Sequence, residues 1–238
     1  MLTESGKRLA TLLHGHFAGL ARLKADFSGS MQTMRVGAGE SLQQWVTIPA
    51  LTGASKAWPK VQWHLRNLRS EDVVSGLLDG ELELGILRRN EVPKGLRSKT
   101  AGKIKYALFV PTCLVPMMED ARSGTKLPLA ALEGQSHVDH LLAGLSIALP
   151  ERWERRLICT SLPQAAEAVR LGLAAAVLPE AIGRQWPASV ASAIPLSSRE
   201  SAHVDLALVW NPVTSKTWPS FEACRSWFAA SVTSLLAD

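Results

Sequence analysis

Strands and helices alternate between Met31 and Leu87, and this alternation constrains the fold more than any other feature of the sequence. Residues 31–37, 61–65 and 82–87 alternate apolar and polar positions, as strands do. Between them, residues 40–57 and 70–80 have helical patterns that end at Pro59 and Gly80. This β-α-β-α-β order predicts an α/β protein with a parallel, doubly wound sheet.

Ligands of such sheets bind outside the carboxyl ends of the strands. Here those ends fall at residues 37–41, 67–70 and 87–90, which we expect to open on one crevice. Helices that begin at Ser41 and Ser70 would present N–H groups suited to a carboxylate or phosphate. Arg88 or Arg89 would add a charged clamp. Ser70 also has a purely structural interpretation as a helix cap, which is the commoner role of serine in this setting.

Residues 1–30 form a separate amphipathic segment. Thr3 is a suitable N-cap, and Glu4 places an acid in the first turn. Apolar residues then recur every three or four positions until the Ser-Gly-Ser at 28–30: Leu9, Leu13, Phe17, Leu20 and Phe27. The pattern predicts a helix that either packs on its own domain or serves as a connector and dimer contact.

Composition and charge exclude several classes. The chain has 238 residues, of which 47% are hydrophobic and 20% charged, so a soluble globular protein is expected. No segment is typical of a secretory signal or a membrane span, which predicts a cytoplasmic protein. The net charge of +5 comes from basic residues that we interpret as scattered, so charge alone does not indicate nucleic-acid binding.

Three cysteines, Cys113, Cys159 and Cys224, are widely spaced and have no metal-binding pattern, which favours buried, unreactive thiols. His137 and His140 form an H-x-x-H pair without acidic or cysteine company. This pair alone does not indicate zinc. Neither a metal nor a cofactor is predicted.

Several motifs together resemble the LysR-type transcriptional regulators of bacteria. L-T-E-S-G at residues 2–6 is similar to the junction between the family's winged helix-turn-helix and its linker helix. M-R-V-G-A at 34–38, L-L-D-G-E-L-E-L-G-I-L at 77–87, L-F-V-P at 108–111 and L-P-E at 178–180 follow in the family's order. The resemblance covers nearly the whole chain.

The resemblance implies a periplasmic-binding-protein-like (type 2) fold of two subdomains with an N-terminal linker helix. The implied boundaries are 1–30 for the linker and dimerisation helix, 31–110 with 204–238 for subdomain I, and 111–203 for subdomain II. Residues 103–110 and 204–210 would be the two crossover strands, and a helix at 215–236 would fold back on subdomain I.

A small-molecule effector would bind between the subdomains. The resemblance implies contacts from Thr160 and Ser161, at the start of a helix that runs to Leu171, and from His137. These add to the positions at the strand ends, so the expected effector contacts are Gly39, Ser41, Asn67, Ser70, Arg88, His137, Thr160 and Ser161. Family members often have a serine or threonine where this chain has Gly39-Glu40, and Glu40 would repel a carboxylate effector. Trp45, Trp63 and Trp186 are alternatives for lining the cleft, although tryptophan more often packs in the core.

The predicted function is effector sensing and oligomerisation within a DNA-binding regulator. The resemblance implies a homodimer or homotetramer that contacts DNA only through an N-terminal domain missing from this chain, and no membrane contact. Catalysis is not expected because the sequence has no phosphate loop, nucleophile elbow or convincing acid pair. A stand-alone solute-binding protein and an enzyme on the same two-lobed fold remain as alternatives.

Overall fold

The structure is a computed structural model of the whole chain. It describes residues 31–120, 125–133, 153–183, 185–196, 203–213 and 220–237, together with Thr3, Gly6, Leu13 and Phe17. The chain divides into two compact units. Unit 1 comprises Met1–Gly102 and Asp205–Asp238, and unit 2 comprises Lys103–Val204.

Unit 1 alternates strands and helices as predicted. In chain order its elements are β1 (Gln32–Ala38), α1 (Glu40–Leu42), a π-helix (Gln43–Thr47), α2 (Ile48–Ala50), α3 (Ala54–Ala57), β2 (Val61–Asn67), α4 (Ser70–Leu78), β3 (Leu84–Arg88) and a 3-10 turn (Arg89–Glu91). β4 (Arg97–Pro111) leads into unit 2, β9 (His203–Trp210) returns, and α8 (Phe221–Ala237) follows.

β1 lies between β2 and β3, and both pairings are parallel. Its register with β2 runs from Gln32 opposite Val61 to Ala38 opposite Asn67. β9 joins β3 in the antiparallel sense, so the predicted parallel sheet is confirmed for β1 to β3 and extended by one antiparallel strand. Each parallel strand therefore ends at the same edge of the sheet.

Two glycines in the strands let α4 approach the sheet closely. A Cβ at Gly37 would lie 3.3 Å from Val73 Cγ2 of α4, and one at Gly85 would lie 2.6 Å from Val73 Cγ1. The buried cluster beneath α4 is made of apolar side chains from the helix and the sheet: Val73, Leu77, Leu82, Leu87, Ala207 and Val209. Asn211 then donates its side-chain amide to the Leu77 carbonyl at 3.1 Å, in addition to the Gly80 N–H at 3.4 Å, at the end of α4.

The helix predicted at 40–57 is interrupted, which corrects the sequence interpretation. Pro49 has no N–H to donate within the helix, and Gly53 adopts a left-handed φ of 83° that ends it. Residues 43–47 also widen into a π-helix. This form is rare in proteins, and where it occurs it is often at a functional site.

The C-terminal helix packs on unit 1, as expected. The Trp63 ring of β2 lies 5.5 Å from the Phe228 ring and 6.2 Å from the Trp227 ring, both in α8. The Arg225 guanidinium lies 4.1 Å from the centre of the Trp210 ring, a cation–π contact.

Unit 2 contains the remaining described elements. They are a 3-10 turn (Thr112–Leu114), α5 (Val115–Glu119), β5 (Leu127–Leu132), β6 (Trp153–Cys159), α6 (Leu162–Arg170), β7 (Ala176–Pro179), α7 (Glu180–Gly183) and β8 (Ala191–Pro195). β7 and β8 pair with β4 in the antiparallel sense, whereas β5 and β6 form a parallel pair. Gly172, with φ 74°, ends α6 as predicted.

An ion pair between the half-buried Arg35 and the buried Glu83 joins β1 to the segment before β3. The Glu83 side chain is fully buried, and its Oε2 accepts from the Arg35 backbone N–H at 2.6 Å. The Arg35 guanidinium donates to both carboxylate oxygens, at 3.2 and 3.0 Å. Glu83 N–H also donates to the Arg35 carbonyl at 3.0 Å. The pair therefore fixes the register of β1 against β3.

Arg35→Met should lower the free energy of unfolding by about 3 kcal/mol, because it leaves a buried carboxylate without its cation. Arg66→Met is the matched control, since its partner Glu81 and Arg66 itself are both exposed, and it should cost less than about 1 kcal/mol. Urea unfolding measures both values. Equal losses in the two variants would contradict a register-fixing role for Arg35.

Candidate ligand-binding site

The carboxyl ends of β1 and β2 bring three predicted residues to one edge of unit 1. Ala38 is opposite Asn67 in the register, and Gly39 is the N-cap of α1 with φ −64° and ψ 158°. Asn67 is exposed and Ser41 is half-buried. A Cβ added at Gly39 would meet no atom within 4 Å, so open space lies beside this backbone.

Gln43, the first residue of the π-helix that follows α1, was not predicted from the sequence. Its Nε2 donates to the Val36 carbonyl and to the Arg66 carbonyl, both at 3.0 Å, so it ties the ends of β1 and β2 together. The side chain is buried, and its Oε1 has no hydrogen-bond partner among the described residues. The available signal was a glutamine on the inner side of the first helical turn, where an apolar residue is usual.

Ser70 and Arg88 meet through a third residue, Glu91. The Ser70 hydroxyl donates to Glu91 Oε2 at 2.7 Å, and Arg88 Nη1 lies 3.9 Å from Glu91 Oε1. The expectation that Ser70 is a helix cap is wrong: Arg69 holds the N-cap position, and no side chain caps α4. Ser70 is the first helical residue, and its hydroxyl points to a carboxylate instead of to the helix N–H groups.

The start of α4 is consequently rich in negative charge. Glu71 and Asp72 lie in its first turn, and Glu91 lies beside its first residue. These carboxylates already complement the positive end of the helix dipole. Arg88 offsets the charge of Glu91, but the two acids of the first turn remain, so this helix start favours a neutral or cationic group over an anion.

Thr160 and Ser161 lie at the start of α6 in unit 2. Ser161 is the N-cap, yet its side chain makes no capping hydrogen bond. Gln164 Oε1 instead accepts from the Thr160 N–H at 2.9 Å and from the Thr160 hydroxyl at 3.2 Å. The first turn of α6 contains no acid and has Pro163 in it. At this helix start, therefore, the Ser161 hydroxyl makes no capping bond, and no acid in the first turn offsets the positive end of the helix dipole.

His137 and His140 lie outside the described residues, and so does Asp139 between them. Within the described ranges, no group of three or more His, Cys, Asp or Glu side chains is arranged to hold a metal ion. No helix in those same ranges is long and apolar enough to cross a bilayer.

The three tryptophans considered for a cleft pack against protein. Trp45 is buried, and Trp63 stacks against α8 as described above. Trp186 contacts the Phe109 ring edge-to-face at 5.6 Å. These contacts favour the packing interpretation for all three.

Two of the three cysteines are buried, as expected, and Cys113 is not. Burial raises the pKa of Cys159 and raises the pKa of Cys224 to about 12, so both remain protonated at neutral pH. Cys113 is exposed, which corrects the expectation for that residue, and its Sγ lies 3.6 Å from the Gly172 carbonyl oxygen.

Two units of alternating strands and helices, with polar residues at the strand ends, define a periplasmic-binding-protein-like domain of type 2. Residues 28–231 match the family described as the LysR substrate binding domain. The chain belongs to this family, and the resemblance identified from the sequence motifs is confirmed. Its family acts in transcription regulation through effector-binding domains.

Solved structures support the same fold. The reduced regulatory domain of OxyR2 from Vibrio vulnificus is 17% identical with a TM-score of 0.64, covering 87% of this chain and 97% of that chain. A full-length OxyR variant from Pseudomonas aeruginosa is 17% identical with a TM-score of 0.68, covering 98% and 79%. Full-length CbnR in complex with its target DNA is 16% identical with a TM-score of 0.64, covering 96% and 80%. No curated protein sequence matches this chain significantly.

Gly39→Ser should leave the stability within about 0.5 kcal/mol of the wild type, because the added side chain enters open space and serine is a good N-cap. The matched control is Gly37→Ser, in which Cβ meets Leu82 Cδ1 at 2.6 Å. Overpacking there should cost about 1–3 kcal/mol. Thermal unfolding of both variants measures the difference, and a large loss from Gly39→Ser would show that the edge is closed.

Proposed function

We propose that this chain is the effector-sensing and oligomerisation region of a LysR-type DNA-binding transcriptional regulator. A small metabolite binds between the subdomains 31–110 with 204–238 and 111–203, and its binding is transmitted to a DNA-binding domain. The observation that carries this proposal is the family match over residues 28–231. The polar residues at the strand ends of unit 1 and at the start of α6 support it.

The charges at the helix starts indicate which end of an effector binds where. In unit 1, Glu40 lies in the first turn of α1, and the start of α4 has three carboxylates nearby. In unit 2, the first turn of α6 has no acid. We infer an effector with an anionic group that binds the N–H groups and hydroxyls at Thr160 and Ser161. Its neutral or cationic part faces Gly39, Ser41 and Asn67, with Ser70, Arg88 and His137 as further proposed contacts.

Residues 1–30 are the proposed linker and dimerisation helix. Thr3 Oγ1 accepts the Gly6 N–H at 3.1 Å, which confirms the predicted cap. Leu13 and Phe17 have helical backbones and are 43% and 65% exposed, and a spacing of four residues places side chains on one face of a helix. Such a face fits a second copy of the helix in a homodimer or homotetramer.

DNA contact is proposed for a domain N-terminal to this chain. The chain covers 79% and 80% of the two full-length regulators described above, one of which was solved on DNA. Effector binding would act on that domain only through a different affinity for two states of the regulator. A cytoplasmic location and the absence of catalysis belong to the same proposal.

A metabolite with a carboxylate or phosphate should raise the unfolding temperature of the chain, because a ligand at 100 times its Kd stabilises the native state by about 2.7 kcal/mol. Ser161→Ala should weaken binding of that ligand by at least about tenfold, since hydrogen bonds to charged groups contribute about 1.5–3 kcal/mol. Ser161 makes no capping bond, so the stability without ligand should not change.

Ser192→Ala, at an exposed serine of β8 in the same unit, is the matched control and should leave affinity unchanged. A thermal-shift panel of carboxylates, phosphates and amines provides the ligands, and calorimetry gives their affinities. Stabilisation by amines alone would contradict an anion site at α6.

Phe17→Ser should weaken self-association, because this side chain is largely exposed in the single chain and is available to a second copy. Sedimentation equilibrium of the wild type, the variant and residues 31–238 measures the effect. Equal association of all three would contradict the proposed role of the helix.

A further inference from the structure

The first strand that connects the two units is irregular where it leaves unit 1. β4 passes from unit 1 to unit 2 between Gly102 and Lys103. Gly102 has a φ of 144°, a conformation that residues with a side chain rarely adopt. The buried side of the strand also changes there, from Ala101 before the glycine to Ile104 and Tyr106 after it. Gly102 therefore has the backbone freedom that a joint between the units needs.

The last turn of α8 covers this joint. A Cβ at Gly102 would lie 2.6 Å from Leu236 Cβ and 3.0 Å from Leu236 Cδ1. The three atoms nearest to that Cβ position all belong to Leu236, which is half-buried and next to last in α8. The Leu236 side chain therefore packs directly on the Gly102 backbone.

The return strand lies beside the same joint. β9 is the neighbour of β4 in the sheet, and it enters unit 1 at Asp205. Lys103 Nζ lies 3.2 Å from Nε2 of His203, the first residue of β9. Both connections between the units therefore run side by side directly beyond Gly102. A change of backbone angle at Gly102 would act on both of them.

α8 is held in place at several other points of unit 1. Phe228 packs on Trp63 of β2, as described above. The helix also packs against α2 and the π-helix, which begins four residues after Gly39. Because these contacts fix the body of the helix, Leu236 leaves Gly102 only when α8 moves or its last turn frays.

We propose that Leu236 locks the joint at Gly102, and that α8 thereby holds the two units in one arrangement. A glycine with open space around it varies its φ and ψ at little cost, whereas Leu236 fills the space beside this backbone. Release of the last turn of α8 would permit the second arrangement that sensing requires. The inference rests on the proposed function only in that requirement.

Ordinary packing is the alternative role of Leu236. A packing residue stabilises unit 1 but has no effect on the arrangement of the units. Truncation of its side chain would then lower the free energy of unfolding and leave that arrangement unchanged. The two roles are separated by measuring the arrangement itself, with urea unfolding of each variant beside it.

The test is dipolar electron paramagnetic resonance on the whole chain with two nitroxide labels, one in each unit. Cys113 supplies an exposed thiol in unit 2, and Ser75→Cys adds an exposed one on α4 of unit 1. Cys159 and Cys224 are buried and should remain unlabelled. The locked chain should give one narrow distribution of distances between the labels, because both units are compact.

Leu236→Ala should broaden this distribution or add a second distance, because it opens the space beside Gly102. Leu235→Ala is the matched control: it truncates a half-buried leucine of the same turn that is not among the atoms nearest to Gly102. This control should keep the narrow distribution. Gly102→Ala should shift the mean distance, because the added Cβ must displace Leu236 or the strand.

A broad distribution without any change at Leu236 would overturn the proposal. So would an unchanged distribution in Leu236→Ala, equal broadening in Leu235→Ala, or an unchanged mean distance in Gly102→Ala. The measurement uses no metabolite, so failure of the proposed effector site would leave its result intact.

Discussion

A buried carboxylate holds the first unit together. Glu83 accepts from both the backbone and the guanidinium of Arg35 while its own N–H returns a bond to the Arg35 carbonyl. Only two residue pairs, Val36 with Leu84 and Gly37 with Gly85, define the ladder between β1 and β3. Such a short ladder fixes the register of β1 against β3 only weakly. The hydrogen bonds between Arg35 and Glu83 hold the two strands in this register. Removing one partner of such a pair is costly, because it leaves a buried charge without its counter-charge.

The register of β1 determines which groups meet at the ligand edge. A slip by one residue would turn every side chain of the strand to the opposite face and move Ala38 away from Asn67. Gln43 depends on the same register, because its amide reaches carbonyls on β1 and β2 at once. The edge where Gly39, Ser41 and Asn67 lie is therefore positioned by polar bonds made on either side of it.

The strands and their order were predictable because each has alternating or apolar residues bounded by glycine or proline. Helix boundaries that depend on the backbone conformation of a single residue could not be predicted. The break at Gly53 follows from its left-handed φ, and the sequence does not show which φ a lone glycine adopts.

Ser70 shows a second limit. A serine before two acids has the pattern of a cap, but Glu91, which lies 21 positions further along the chain, takes its hydroxyl. Long-range polar partners of this kind leave no mark on a local pattern.

Effector binding at the strand ends of unit 1 and at the start of α6 is the proposal on which the sensing role depends. Amide chemical shifts of the isotopically labelled chain, titrated with a metabolite that stabilises it, report on these segments residue by residue. We expect the largest changes at residues 39–41, 67–70 and 160–162. Changes concentrated instead at Trp63 and along α8, with those three segments unaffected, would contradict binding at this site.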